Sequence, residues 1–440
     1  MDRSRWPAAA GAALGLATAA IYLIGSNRSF GYDAAATFSN FVATPSLWDA
    51  FAVHQVLPTI PVKNVASNDH VLVSLISHLI YSTTGSHSEV VYRLTPALAG
   101  GAAVGVVAAV LVQRFGWVAG ISAALYVATD PLFVDNSRDL RGYSLAALGG
   151  VVGTLVLAGR WTRWRLTAYA LVMGLAIAAQ LVAGVVLLAH VAWIAAGRSR
   201  PRFLHAAPAM AAAALIGIAA NAWIQYAEVI QHGYPPSVFY PNFPRDLVLF
   251  LFGAPVLLPI GLWLATAGLG IWPLRDRLWL WSSIAVTASV VAILWLVLRP
   301  AYLYPRFFIF LVPGIAYLMA AAIARWKVLA PVVVLGAILA ASSQVPGYTE
   351  DPLALPQAAA AIERIHAAGG RVCVIHSDEQ LLSGYTTDFT VVTSAEELDS
   401  CDAVVVVSWG VDIPLRDLAA RDFQHATVLK AYYPTIVLER

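Results

Sequence analysis

Four side chains in this chain have the type and the setting to do chemistry: Asp33, Arg138, Arg141 and Arg306. Asp33 follows the first apolar run, Pro7 to about Ile24, in the stretch Phe30-Gly31-Tyr32-Asp33. A lone carboxylate at the mouth of a helix bundle suits a base acting on substrates that reach the membrane surface. It also suits a helix cap or a solvated loop acid. Arg138 and Arg141 stand three apart in Ser137-Arg138-Asp139-Leu140-Arg141-Gly142-Tyr143, so on a helix they would share a face. Two guanidinium groups on one face suit a phosphate. They equally suit snorkelling to lipid headgroups, partly neutralised by Asp139. Arg306, in Tyr304-Pro305-Arg306-Phe307-Phe308, stands at the start of an apolar run. A charge there is costly unless it is paired or faces a wet cavity, which favours a functional reading. Tyr302 and Tyr304 fit an aromatic belt.

The segment from about 26 to 92 is too long to be only a connector. It holds Asn68-Asp69-His70 and then Val71 to Tyr81, an apolar but short stretch that reads as a helix lying in the membrane interface. His70 reads either as a site residue or as an ordinary first-turn helix residue. Asp69-His70 lacks the spacing of a dependable metal site. No cofactor is predicted firmly, and a divalent metal stays open.

These residues need a scaffold, and composition names its class. The chain is 440 residues, 59% hydrophobic and 12% charged, too little charge for a soluble protein of this size. Apolar runs recur near the roughly 20 residues that cross a hydrocarbon core of about 30 Å. The expected spans are 7–25, 92–112, 117–132, 142–159, 166–179, 181–197, 206–225, 247–270, 278–298, 305–323 and 328–345. The fifth and sixth are short and close enough to form a hairpin that does not fully cross. The first is too long for a cleaved signal, and no cleavage site follows it. The loops on the side of the N-terminus collect 13 Lys and Arg against two acids, Asp2 and Asp276. The other loops, leaving out the C-terminal tail, carry 8 basic residues and 9 acids. The positive-inside rule then puts the N-terminus in the cytoplasm. It puts the Asp33, Arg138 and Arg306 loops and the C-terminus outside, in a multi-pass plasma-membrane protein.

After about 345 the pattern changes. A helix-like segment, Pro356 to Ala368, ends at Gly369-Gly370, and 371–376, 403–407 and 435–438 read as strands. This predicts a transmembrane domain over 1–345 and a small α/β domain over 346–440. Cys373 and Cys401 are the only cysteines. A disulfide and two buried free thiols are both compatible with an outward location.

Four stretches together resemble the polytopic glycosyltransferases of the C-type fold, in particular the bacterial polyprenyl-phosphate-sugar, mannosyltransferase-like superfamily. They are Tyr32-Asp33 after the first span; Asn68 to His78 continuing to Glu89-Val-Val-Tyr-Arg93-Leu-Thr-Pro96; Ser137 to Tyr143; and, more loosely, Tyr304-Pro-Arg306 to Pro313 with Phe307 in place of the usual Tyr. Each is weak alone, but all four occur in order on one face. Many members carry two adjacent acids after the first helix; here Ala34 follows Asp33, which leaves Asp69 or Asp139 as a possible second carboxylate.

The resemblance implies an all-α polytopic membrane protein of about eleven transmembrane helices with a C-terminal extracytoplasmic α/β domain. It implies transfer of a sugar from a polyprenyl-phosphate donor to a glycan, lipid or protein hydroxyl, with inversion. Asp33 would be the catalytic base, and Arg306, Arg141 and Arg138 would hold the donor phosphate. Asn68, Asp69, His70, Tyr143 and Tyr304 would be candidates for the substrate pocket. Membrane lipids are the other expected partners, and nucleic acid is not one. A transporter would place charges near mid-membrane and show repeated halves, neither of which is found. A non-catalytic scaffold has no use for the Arg-rich loops.

Overall fold

The computed structural model describes residues 6–53, 69–196, 200–224, 241–253, 257–275, 277–298, 303–345, 351, 353–375, 378–407, 419, 423, 425–430 and 435–439. Asn68 lies outside these residues.

Helix α1 (Trp6–Leu23) packs along α4 (Glu89–Phe115). The contact is close because small residues face each other. Gly11 and Gly15 on α1 meet Gly101 and Gly105 on α4, and a Cβ on any of the four would run into the opposing backbone. Small-residue seams of this kind let two helices associate where lipid gives no hydrophobic drive. Between them come α2 (Tyr32–Thr37), which carries Asp33 and runs on into a π-turn, Phe38–Val42, and α3 (Val71–Thr84). The helix expected over Val71 to Tyr81 is therefore present and one turn longer.

The chain then forms α5 (Trp117–Thr129) and α6 (Pro131–Ser137), bent by 60° at their junction. The bend has a local cause. Pro131 has no N–H to continue the helical ladder, and Asp130 Oδ1 accepts the Phe133 N–H at 3.0 Å, capping α6 as a new helix. Residues expected to form an open loop after 132 are thus helical up to Ser137. Next come α7 (Tyr143–Ala158), α8 (Arg163–Ala179), α9 (Gly184–Ala196) and α10 (Arg200–Ile224). A 3₁₀ turn, Leu181–Ala183, joins α8 and α9, which have 17 and 13 residues.

The span expected over 247–270 is divided into α11 (Phe243–Leu251) and α12 (Leu257–Leu274). Gly253 at φ +102° breaks it in a backbone conformation that favours glycine. Helices α13 (Leu278–Ala292), α14 (Leu311–Arg325) and α15 (Leu329–Ser343) complete the bundle. The span expected from 305 begins instead at Leu311, and Arg306 stands before it in a 3₁₀ turn, Pro305–Phe308.

Among the described residues, three helices are long and apolar enough to cross a membrane, four if the bent pair counts as one span. Seven more are apolar and shorter.

Beyond the bundle, α16 (Leu355–Ala367) precedes a five-stranded sheet. Its strands are β1 (Val372–Ile375), β2 (Thr390–Val392), β3 (Ala403–Val407), β4 (His425–Lys430) and β5 (Thr435–Glu439), in the order β2-β1-β3-β5-β4. The first three are parallel, and β5 and β4 continue the sheet antiparallel. β2 and β4 are additions to the strands read from sequence. Cys373 and Cys401 form a disulfide from β1 to the approach of β3. This apolar core is continuous with the Asp33 segment. Phe30, Ala34, Ala35, Phe38 and Tyr92 pack in one buried cluster with Leu355, Ile362, Leu381 and Leu382.

Candidate active site

Three separate pieces of chain bring charge to one point. Asp33 arrives on the first turn of α2, Arg141 on the bends between α6 and α7, and Arg306 on the 3₁₀ turn before α14. Asp33 Oδ2 accepts an ion-paired hydrogen bond from Arg141 Nη2 and another from Arg306 Nη1 at 2.8 Å. Arg141 is buried, whereas Asp33 and Arg306 each keep about a quarter of the side chain open to the cleft. Burial alone would raise the Asp33 carboxyl; the charges and hydrogen bonds of Arg141 and Arg306 outweigh it and hold the pKa below the usual carboxylate value.

His70 supports the centre. Arg141 Nη1 donates to His70 Nε2 at 3.0 Å, so the ring proton is on Nδ1, which donates to the Ala179 carbonyl at 3.1 Å. Burial, then the Arg141 charge, push the imidazole pKa well down and keep it neutral. Gly142 makes this fit possible: a Cβ there would strike the Ala179 carbonyl and come within 3.1 Å of His70 Nδ1. Tyr143 meets the His70 ring edge-on at 5.1 Å and stacks on Phe307 at 6.2 Å. The Arg306 guanidinium carbon lies 4.5 Å from the centre of the Tyr304 ring and 5.8 Å from that of Tyr143. Asp69 stays beside His70, takes the Ser74 hydroxyl at 2.6 Å, and burial lifts its pKa to about 7.

Of the sequence candidates, Asp33, Arg141, Arg306, His70, Tyr143 and Tyr304 therefore converge, with Asp69 one residue from the group. Arg138 does not. Its expected shared face with Arg141 needed a helix, but residues 138–142 bend instead. Arg138 donates to the end of α1, from Nε to the Tyr22 carbonyl at 3.2 Å and from Nη2 to the Ile24 carbonyl at 2.8 Å. Asp139 lies 4.0 Å from Arg141 Nε and not on Asp33.

Two contributors carried no role in the sequence reading. Arg93 donates to the carbonyls of Ser26 (2.7 Å), Arg28 and Ser29 (3.0 Å), shaping the turn that leads to Asp33. Its position after Glu89 in the Glu-x-x-x-Arg pattern was the available signal. Tyr385 of the C-terminal domain binds Phe30 and Glu89. No local pattern points to it, because the contact spans some three hundred residues. Among the described residues no group of three His, Cys, Asp or Glu side chains gathers as a metal site.

A cavity of about 400 Å³ lies within the bundle. Its walls run from Phe310 and Leu311, a few residues past Arg306, to Arg114 and Tyr317, and are mostly apolar.

No family model and no curated protein matches the sequence. Solved structures do match. ArnT from Cupriavidus metallidurans in the apo state superposes with a TM-score of 0.61 over 97% of each chain, at 13% identity. The same protein bound to undecaprenyl phosphate gives 0.60 over 97% of each chain, at 14% identity. At this identity the likeness is one of fold. The chain has the C-type glycosyltransferase fold: a polytopic helical membrane bundle with a small C-terminal α/β domain.

Proposed function

We propose that this protein is a plasma-membrane glycosyltransferase that moves a sugar from a polyprenyl-phosphate donor to an acceptor hydroxyl at the outer face. The observation that carries the reading is one carboxylate held between two arginines at the mouth of an apolar bundle. Asp33 removes the acceptor proton while the acceptor oxygen bonds to the anomeric carbon. The bond from that carbon to the phosphate oxygen breaks, and its electron pair leaves with the polyprenyl phosphate. Attack opposite the leaving group inverts the anomeric centre. Arg306 and Arg141 stabilise the phosphate, which needs no protonation to depart. Asp33 bridges the two guanidiniums and Asp139 lies 4.0 Å from Arg141 Nε, so Arg306, whose described ion pair is with Asp33 alone, is the guanidinium best placed to take an anion. Arg306 Nε is buried and without a hydrogen-bond partner among the described residues, which leaves it a donor for that anion.

The mostly apolar cavity, lined in part by Phe310 and Leu311 of the segment that follows Arg306, suits the prenyl chain. A neighbour of the same fold is bound to undecaprenyl phosphate, which supports this donor class. The charge bias of the loops supports a cytoplasmic N-terminus and an extracytoplasmic C-terminal domain. Asp33→Asn tests the assignment: the variant folds and inserts normally and loses transfer by at least about 100-fold, the cost of a missing general base. Near-normal turnover removes Asp33 from the mechanism.

A further inference from the structure

The segment that delivers Asp33 is fastened from two sides. On the bundle side, Arg93 takes the carbonyls of Ser26, Arg28 and Ser29. On the other side, the C-terminal domain takes the Ser29 side chain and the backbone of Phe30. Ser29 Oγ donates to Asp351 Oδ2 at 2.8 Å and accepts the Leu355 N–H at 2.8 Å. The Phe30 N–H donates to the Tyr385 hydroxyl at 2.8 Å, and that hydroxyl donates onward to Glu89 Oε1 at 2.9 Å. The Tyr385 ring meets the Phe30 ring at 6.3 Å, and the short helix Glu379–Leu382 packs on α2. Tyr385 is thus one group joining three parts: the outer domain, the first turn of α4 and the strand-like approach to α2. Asp33 lies three residues beyond Phe30, with only Gly31 and Tyr32 between.

We propose that Tyr385 is a positioning residue for Asp33, and that the C-terminal domain is a working part of the active site. The inference rests on the reading of Asp33 as the base. The two arginines that face Asp33 are carried on other elements, the 138–142 bends and the Pro305–Phe308 turn. Loosening Tyr385 therefore misplaces the carboxylate more than it disturbs the phosphate site. Catalytic geometry is sensitive to such errors, with a shift of about 1 Å costing up to a hundredfold.

The test is Tyr385→Phe in the full-length protein, which keeps the ring and deletes the hydroxyl. Amide hydrogen exchange over 28–38 is read beside steady-state kinetics and the thermal midpoint. We expect faster exchange at Phe30, a kcat lowered about 10- to 100-fold, an unchanged donor KM and a midpoint lowered by only about 2–4 °C. Exchange at the wild-type rate overturns the fastening. Faster exchange with wild-type kcat, or a kcat loss matched by a larger fall in the midpoint and a raised KM, overturns the positioning role. Asp33→Asn run in parallel separates the two readings. Full turnover there sinks the assignment of the base, whereas lost turnover there with a wild-type Tyr385→Phe sinks this inference alone.

Discussion

Two pairs of arginines lie at the end of the bundle where α1 finishes, and they are used in opposite ways. Arg93 and Arg138 are each 2% exposed and donate to backbone carbonyls of the α1 end and the turn after it. Arg141 and Arg306 share one carboxylate instead. A guanidinium bound to carbonyls fixes the shape of the backbone and leaves its charge spread over fixed dipoles. Two guanidiniums that share one carboxylate, with Asp139 at 4.0 Å from Arg141 only, leave Arg306 with a side open to the cleft. The first pair builds the frame and the second is available to an anion. Sequence distance does not separate them, since Arg138 and Arg141 are three residues apart.

The largest expected effect breaks the comparison at the second pair. Arg306→Ala and Arg141→Ala each lower transfer by about 100- to 1,000-fold, the usual cost of a lost charge-stabilising donor. Arg306→Lys recovers little of this, because an ammonium lacks the planar fork that holds carboxylate and phosphate together. Steady-state transfer assays on purified protein check both, and a lysine variant with wild-type turnover reduces Arg306 to a headgroup anchor.

A smaller effect of another kind is expected at the first pair. Arg138→Ala and Arg93→Ala leave several buried carbonyls without donors, at about 1–3 kcal/mol each. The measurement is yield and thermal midpoint: both fall, while turnover per folded molecule changes less than in the Arg306 variant. Equal loss of turnover at normal stability would erase the distinction between the pairs.

Much of the centre was legible because its residues are costly where they stand. A carboxylate just past the first span, an arginine at the head of a span and a histidine before an amphipathic run all break the apolar pattern, so their types announced them. The backbone between them was less legible. The shared face of Arg138 and Arg141 assumed helix where α6 has already ended at Ser137 and the chain bends over 138–142. The division at Gly253 was hidden in an unbroken apolar run, where periodicity carries no signal. Tyr385 and Arg93 act through tertiary contacts to backbone, which leave no local pattern. The disulfide needed the parallel pairing of β1 and β3 before the two sulfurs could be placed together.

The smallest effects follow pH. The Asp33 pKa is lowered in the fold, so the stability its ion pairs supply is complete above the unfolded carboxyl value, about 3.9. It is lost only as pH falls through the lower folded value. Thermal midpoints of wild type and Asp33→Asn should therefore differ by a constant amount from pH 8 to pH 5. Asp69 has the opposite sign: its folded pKa of about 7 means the fold disfavours its charge. That penalty is absent in acid and grows as pH rises from the unfolded value through 7. Asp69→Asn should raise the midpoint by about 2 °C at pH 8, with a smaller gain at pH 5. A larger gain in acid would contradict the assignment.

The central claim is that Arg306, set beside Arg141 and Asp33, holds a lipid phosphate, and mass spectrometry of co-purified lipid tests it most directly. Wild type and Arg138→Ala should both carry a polyprenyl phosphate, and Arg306→Ala should have lost it. Wild-type protein free of polyprenyl phosphate, or the same lipid retained at full occupancy in Arg306→Ala, would contradict the account.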